Sequence, residues 1–190
     1  KIRIGVVSQE VNSLSITQRT SGFIDKMVEL LNKKGIKTAV TGHDKFKNDV
    51  NEADAKVVIE VRVPAQVDDA AGKTEASTVL EKEDTVAIYG SNEFAAKAII
   101  NANGGFKESK LGADKILAVG FDSGALQQDA IRKGIFVGSV TQDPVQIGYQ
   151  AVKLAVAAAK GETVKDVDTG SKWYDAKNID SDEIKALLYE

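Results

Sequence analysis

The chain has 190 residues, of which 43% are hydrophobic, enough for one sizeable core. Twenty-five Lys and Arg against 28 Asp and Glu are interleaved along the sequence, so no continuous basic face is available for nucleic acid. Cysteine is absent, which excludes disulfide frameworks, thiolate catalysis and cysteine-ligated metal centres and suits an exported protein. No apolar run approaches the ~20 residues that a membrane helix needs.

An apolar strand, Ile2 to Val7, begins almost at Lys1, with no initiating Met, charged n-region or cleavage motif, and residue 1 reads as a processing boundary. The polar stretch after it holds Ser8, Gln9 and Asn12. Helical spacing of Phe23, Ile24, Met27, Val28, Leu30 and Leu31 predicts a helix from about Ile16 to Lys34, stopped by Gly35. Ile36 to Ala55 fits less easily, as a short strand over Lys37 to Thr41 and a polar helix.

Lys56 to Val63 predicts a strand ended by Pro64, followed by a helix from Asp68 to Lys82. Thr85 to Tyr89 predicts a strand, and Glu93 to Asn103 a helix broken by Gly104-Gly105. Ile116 to Gly120 is the next strand, and Gly124 to Lys133 a helix with Leu126, Ala130 and Ile131 on one side. Phe136 to Val140 is a further strand. Asp143-Pro144 then opens a long helix to Lys160, with Gly161 past its end.

Val167 to Tyr174 predicts a last strand and Ser181 to Leu188 a terminal helix capped by Ser181. Strands alternating with helices predict a three-layer, doubly wound α/β domain with a mainly parallel sheet, whose ligands gather at the carboxyl ends of strands.

Catalytic patterns are missing. The single histidine, His43, lies in a polar turn, and no phosphate-binding glycine motif follows a strand. Gly120-Phe121-Asp122-Ser123-Gly124 superficially resembles a nucleophile elbow, but Asp122 stands where that motif needs Ser. No catalytic residue, metal site or cofactor is therefore expected.

The strand ends instead carry Asn12, Asn92, Asp122, Gln142 and Asp143, with Arg19 just inside the first helix. Sugar hydroxyls both donate and accept, so amides, a carboxylate and a planar arginine suit them. Each has a simpler alternative: Asn92 and Asp122 as caps of the helices that follow, Gln142 as a turn residue, Arg19 as the partner of a surface acid. Trp173 and Tyr174 fall in the late strand, away from the other strand ends, and read as packing residues.

Ile116 to Glu162 has a strand ending in G-F-D, a helix, a strand, and Q-x-P-x-x-x-G opening a long helix. Ile88 to Ile99 has a strand ending in N-E before an Ala-rich helix, and Gln18 to Phe23 an R-x-x-G-F helix start. Together these three stretches resemble sugar-binding proteins of the ribose-binding type, the type I periplasmic solute-binding proteins of ABC transporters.

The resemblance implies that residues 1–190 form the second, C-terminal lobe of a non-enzymatic sugar-binding protein. Arg19, Asn92 and Asp122 would bind hydroxyls, and Gln142 would reach ligand from the hinge. A further contact is implied near Gln66 to Asp68, where Val67 stands. The helix over 143–161 would cross to a first lobe that this sequence does not contain. Partners so implied are a sugar, the N-terminal lobe and the membrane subunits of an ABC transporter. No nucleic acid is implied, and self-association through helix 143–161 is expected of the lobe alone.

Periplasmic or extracellular location is implied, with the full-length protein a possible lipoprotein. The alternative is the effector-binding core of a LacI-type transcription regulator, which shares the fold; a free-standing doubly wound enzyme is the remaining rival.

Overall fold

The computed structural model describes residues 1–189. In chain order the elements are β1 (Ile2–Val7), α1 (Leu14–Lys33), β2 (Thr38–Thr41), β3 (Val57–Arg62), α2 (Asp69–Leu80), β4 (Thr85–Gly90), α3 (Glu93–Asn103), β5 (Leu117–Phe121), α4 (Ala125–Arg132), β6 (Gly138–Gln142), α5 (Pro144–Ala159), β7 (Ser171–Asp175) and α6 (Asp182–Lys185). They build one seven-stranded sheet in the order β2-β3-β1-β4-β5-β6-β7. All neighbours are parallel except β6 and β7, which pair antiparallel.

Strand alternation sends successive side chains to opposite faces. From β1, Ile4 and Val6 enter a core with Ile24 of α1 and with Val57, Ile59 and Val61 of β3. Val7 enters the opposite core, with Val79 and Leu80 of α2, Ile99 of α3 and Ile131 of α4. The sheet is thus covered on both faces, as its alternation of elements predicts.

Several expectations need correction. The Ile36 to Ala55 stretch has β2 but no polar helix, only a 3₁₀ turn over Glu52–Asp54 capped by Asn51. Asn48 instead bonds the backbone of the edge strand: its Oδ1 accepts from Val40 N at 2.9 Å and its Nδ2 donates to Thr38 O at 3.1 Å. Asn-rich loops satisfy the backbone this way in place of helix.

Strand β6 lies two residues beyond the expected Phe136 to Val140. Phe136 is buried in the core as a loop residue, and the ladder falls on Gly138–Gln142. In α4, Leu126 is exposed and Gln127 takes the inward position beside Ala130 and Ile131.

A buried ionic cluster ties β1, β3 and the turn after α2 together. Glu60, with 4% of its side chain exposed, accepts from Arg3 Nη1 at 2.6 Å, Arg62 Nη2 at 2.6 Å and Lys82 Nζ at 2.6 Å. Arg3 also bonds Asp84 at 2.9 Å and Glu52 at 3.1 Å. Burial alone would push the Glu60 carboxyl up. The Lys82 hydrogen bonds and the charges of Arg62 and Lys82 outweigh burial and hold it below the usual carboxylate range.

The long helix α5 begins as expected, with Asp143 Oδ1 accepting from Gln146 N at 2.8 Å and Pro144 in the first turn. None of its residues is buried. Val145, Ile147, Tyr149, Val152 and Val156 are all exposed, so the helix extends from the lobe without packing on the sheet.

Candidate sugar-binding rim

Parallel strands place their carboxyl ends, and the loops that follow, along one rim of the sheet. Arg19 reaches this rim from the first turns of α1, and its guanidinium is held on three sides. Nη1 donates to Asp122 Oδ2 at 2.9 Å, Nη2 donates to Gln142 Oε1 at 2.8 Å, and the group lies 4.1 Å from the centre of the Phe121 ring. The alternative of a surface partner is thereby removed: Arg19 and Asp122 stand 103 positions apart in sequence, with 17% and 18% of their side chains exposed.

Asp122 does not cap α4, whose N-terminus has no side-chain cap. Its Oδ2 instead accepts from the backbone N–H of Glu93 at 3.2 Å, at the positive end of α3. Asn92 does cap α3, accepting from Ala95 N at 3.0 Å, while its Nδ2 donates to Gln9 Oε1 at 2.6 Å. Gln142 is more than a turn residue, because its amide oxygen meets Arg19.

Arg19, Asp122 and Gln142 are therefore in direct contact, and Asn92 adjoins them through Glu93. Asn12 and Val67 lie in the loops after β1 and β3 at the same rim, both exposed and outside this hydrogen-bonded cluster.

The late strand is closer to the site than its place in the sequence suggests. Pairing of β7 with β6 sets Trp173 opposite Val140 and Tyr174 opposite Ser139. Tyr174 is fully buried and its hydroxyl donates to Asp122 O at 2.7 Å; burial pushes this phenol well above its usual range, so it stays protonated. Trp173 is 44% exposed, its ring over Gly138, where any Cβ would collide with it.

Together with Arg19, Phe23, Tyr89, Phe121 and Val140, Trp173 lines an apolar groove of about 390 Å³ under the guanidinium. Phe23 and Tyr89 stack within it at 4.3 Å. Trp173 and Tyr174 were not legible as site residues, because the antiparallel return that brings β7 there leaves no local signal, and Phe121 at the end of β5 is marked only by the Arg19 guanidinium over its ring. A larger cavity of about 740 Å³, lined by Leu80, Phe106, Lys110 and Lys115 among others, lies at the opposite, amino ends of the strands.

A mainly parallel α/β layer with such a rim is one lobe of a type I periplasmic binding protein. The chain belongs to the periplasmic binding protein domain family, whose model matches residues 1–163. Among solved structures it is similar to an ABC transporter, LacI family transcriptional regulator from Brachyspira murdochii, with 38% identity over all of this chain and a TM-score of 0.80.

It is also similar to a carbohydrate transporter solute-binding protein from Agrobacterium radiobacter in complex with D-arabinose, with 25% identity over all of this chain and a TM-score of 0.73. An ABC transporter solute-binding protein from Agrobacterium vitis with bound D-fucose shares the fold at 24% identity over 98% of this chain and a TM-score of 0.71. The chain spans 56% of the length of each of these three. No curated protein matches it.

Proposed function

We propose that this lobe is the second wall of a sugar-binding cleft, in a non-enzymatic, periplasmic or extracellular solute-binding protein that delivers its ligand to an ABC transporter. The contact of Arg19 with Asp122 and Gln142 above the Phe121 ring carries the reading, since it offers paired donors and acceptors already oriented before ligand arrives. Arg19, Asn92, Asp122 and Gln142 are the ligand-binding residues, with Asn12 and Val67 contributing from the flanking loops. A sugar bridging this wall and a first lobe favours the closed arrangement, and the closed form is what transporter membrane subunits distinguish.

The test is an amide-shift titration of the chain by NMR with D-arabinose, D-fucose or myo-inositol at tens of millimolar. Shifts should gather at Arg19, Glu93, Asp122 and Gln142 and vanish in Arg19→Ala. Shifts elsewhere, or none at this rim, would overturn the assignment.

The second reading, the effector core of a LacI-type regulator, draws support from the Brachyspira relative, which is described both as an ABC transporter and as a LacI family transcriptional regulator. It predicts that the full-length protein binds operator DNA and lacks any dependence of sugar uptake on its presence.

The exposed apolar residues of α5 have a consequence for the lobe by itself. About 24 Å of helix carrying Val145, Ile147, Tyr149, Val152 and Val156 is too much unpartnered apolar surface to stay in water. Self-association is expected in sedimentation velocity at high concentration, and Tyr149→Lys with Val152→Lys should restore a monomer. A clean monomer of the unsubstituted chain counts against it.

A further inference from the structure

Asp122 is the one non-glycine residue with positive φ among the described residues, at 75°. A left-handed backbone is unfavourable for a residue with a side chain and persists where surrounding groups over-determine it. Its carbonyl oxygen is held by three buried side chains from three elements. Tyr174 Oη of β7 donates at 2.7 Å, Ser139 Oγ of β6 at 2.9 Å and Gln127 Nε2 of α4 at 3.1 Å. Gln127 Nε2 also donates to Phe121 O at 3.2 Å and to Ser139 Oγ at 2.5 Å.

Two further observations indicate that this arrangement is built around the carbonyl. Gln127 Oε1 is buried with no hydrogen-bond partner, a cost accepted so that the amide nitrogen faces both backbone carbonyls; the flipped amide would set oxygen against oxygen. Gly120 leaves the space in which that amide lies, since a Cβ there would collide with Gln127 Nε2.

We infer that Tyr174, Ser139 and Gln127 are positioning residues that lock Asp122 in the left-handed conformation and so aim its carboxylate at Arg19 and the N–H of Glu93. The inference deepens the sugar-binding reading and takes its functional meaning from it. One consequence is that β7, which joins the lobe only after α5 and its following loop, takes part in shaping the site: the return strand supplies the shortest of the three bonds. Undocking of β7 would release the carboxylate from its aim.

The lock is tested without sugar in Tyr174→Phe/Ser139→Ala, which keeps the ring and the backbone in place while removing two donors. The HN–Hα coupling of residue 122 should move from the left-handed towards the right-handed value in the folded variant. The fall in melting temperature should be much smaller when the same substitutions are made in an Asp122→Gly background, because glycine needs no lock; plain packing roles would cost the same in both backgrounds.

An unchanged coupling, or equal falls in the two backgrounds, overturns the inference. If the double variant does not fold, Tyr174→Phe alone is read by the same two measurements. A sugar titration then separates the two ideas. A shifted coupling accompanied by roughly tenfold weaker sugar-dependent shifts at Arg19 supports both. A shifted coupling in a protein whose rim never responds to sugar sinks the sugar reading and leaves the lock standing.

Discussion

Sugar titrated into the 190-residue chain by itself is expected to bind about a thousandfold more weakly than it binds a two-lobed relative. A closed cleft buries 70–90% of a small ligand between its walls. On the proposed function the rim described above supplies one wall, and the chain spans 56% of the length of the three relatives. Micromolar affinity corresponds to roughly −8 kcal/mol and millimolar to roughly −4 kcal/mol, so halving the contacts moves binding from the first range to the second. Calorimetry on the chain and on the arabinose-binding relative makes the comparison. Micromolar or tighter binding to this chain alone would contradict the proposal that the opposite wall carries half the contacts.

Removal of the Glu60 carboxylate is expected to bring the largest loss of stability. Glu60→Ala leaves Arg3, whose side chain is 9% exposed, without its buried partner. Breaking a buried ion pair from one side costs about 3–5 kcal/mol, a large part of the 5–15 kcal/mol that holds a typical domain together. Urea unfolding at neutral pH should show this loss. Replacing the two most deeply buried charges together, Arg3→Met with Glu60→Leu, should recover much of it, since Arg62 and Lys82, 29% and 35% exposed, can turn to water.

The same group sets a pH dependence. Its folded carboxyl titrates below the ordinary glutamate value, so the folded form binds its proton less readily than the unfolded chain does. The stability it contributes is present in full above the unfolded value of about 4.3 and is lost as pH falls through the folded value. Asp84, held low mainly by its hydrogen bond from Arg3, acts in the same direction. Unfolding free energy should fall as pH drops below about 4.3 and fall less steeply in the double replacement. An identical acid slope in both proteins would remove Glu60 from this role.

Elements with strong local punctuation are legible in the sequence. The bounds of α3 follow from Asn92 as cap and Gly104-Gly105 as break, and the structure has the helix at Glu93–Asn103. Elements set by distant contacts are not. Phe136 has strand propensity, yet the core claims it from a loop and β6 begins at Gly138. Leu126 is the more apolar residue, yet Gln127 faces inward because three polar groups of the β5 end and β6 wait for its amide. Binary patterning cannot anticipate a polar residue whose partners lie on other strands.

The same division runs through the candidate site. Residue types and spacing already placed Arg19, Asn92, Asp122 and Gln142 after successive strands, because a parallel sheet must deliver its loops to one rim. Sequence could not say which of them touch. Three-dimensional packing joined Arg19 to Asp122 and Gln142, turned Asn92 into a helix cap and left Asn12 and Val67 exposed.

Alternation of strands and helices was sufficient to determine the layered α/β class, since periodicity is a local property that hydrophobic burial converts directly into sheet and helix faces. Only the tertiary structure decided that the final strand returns antiparallel beside β6, that Tyr174 reaches the carbonyl of Asp122 across 52 positions, and that α5 extends without a partner. Those outcomes depend on contacts between segments remote in the chain, whose free energies no window of sequence contains.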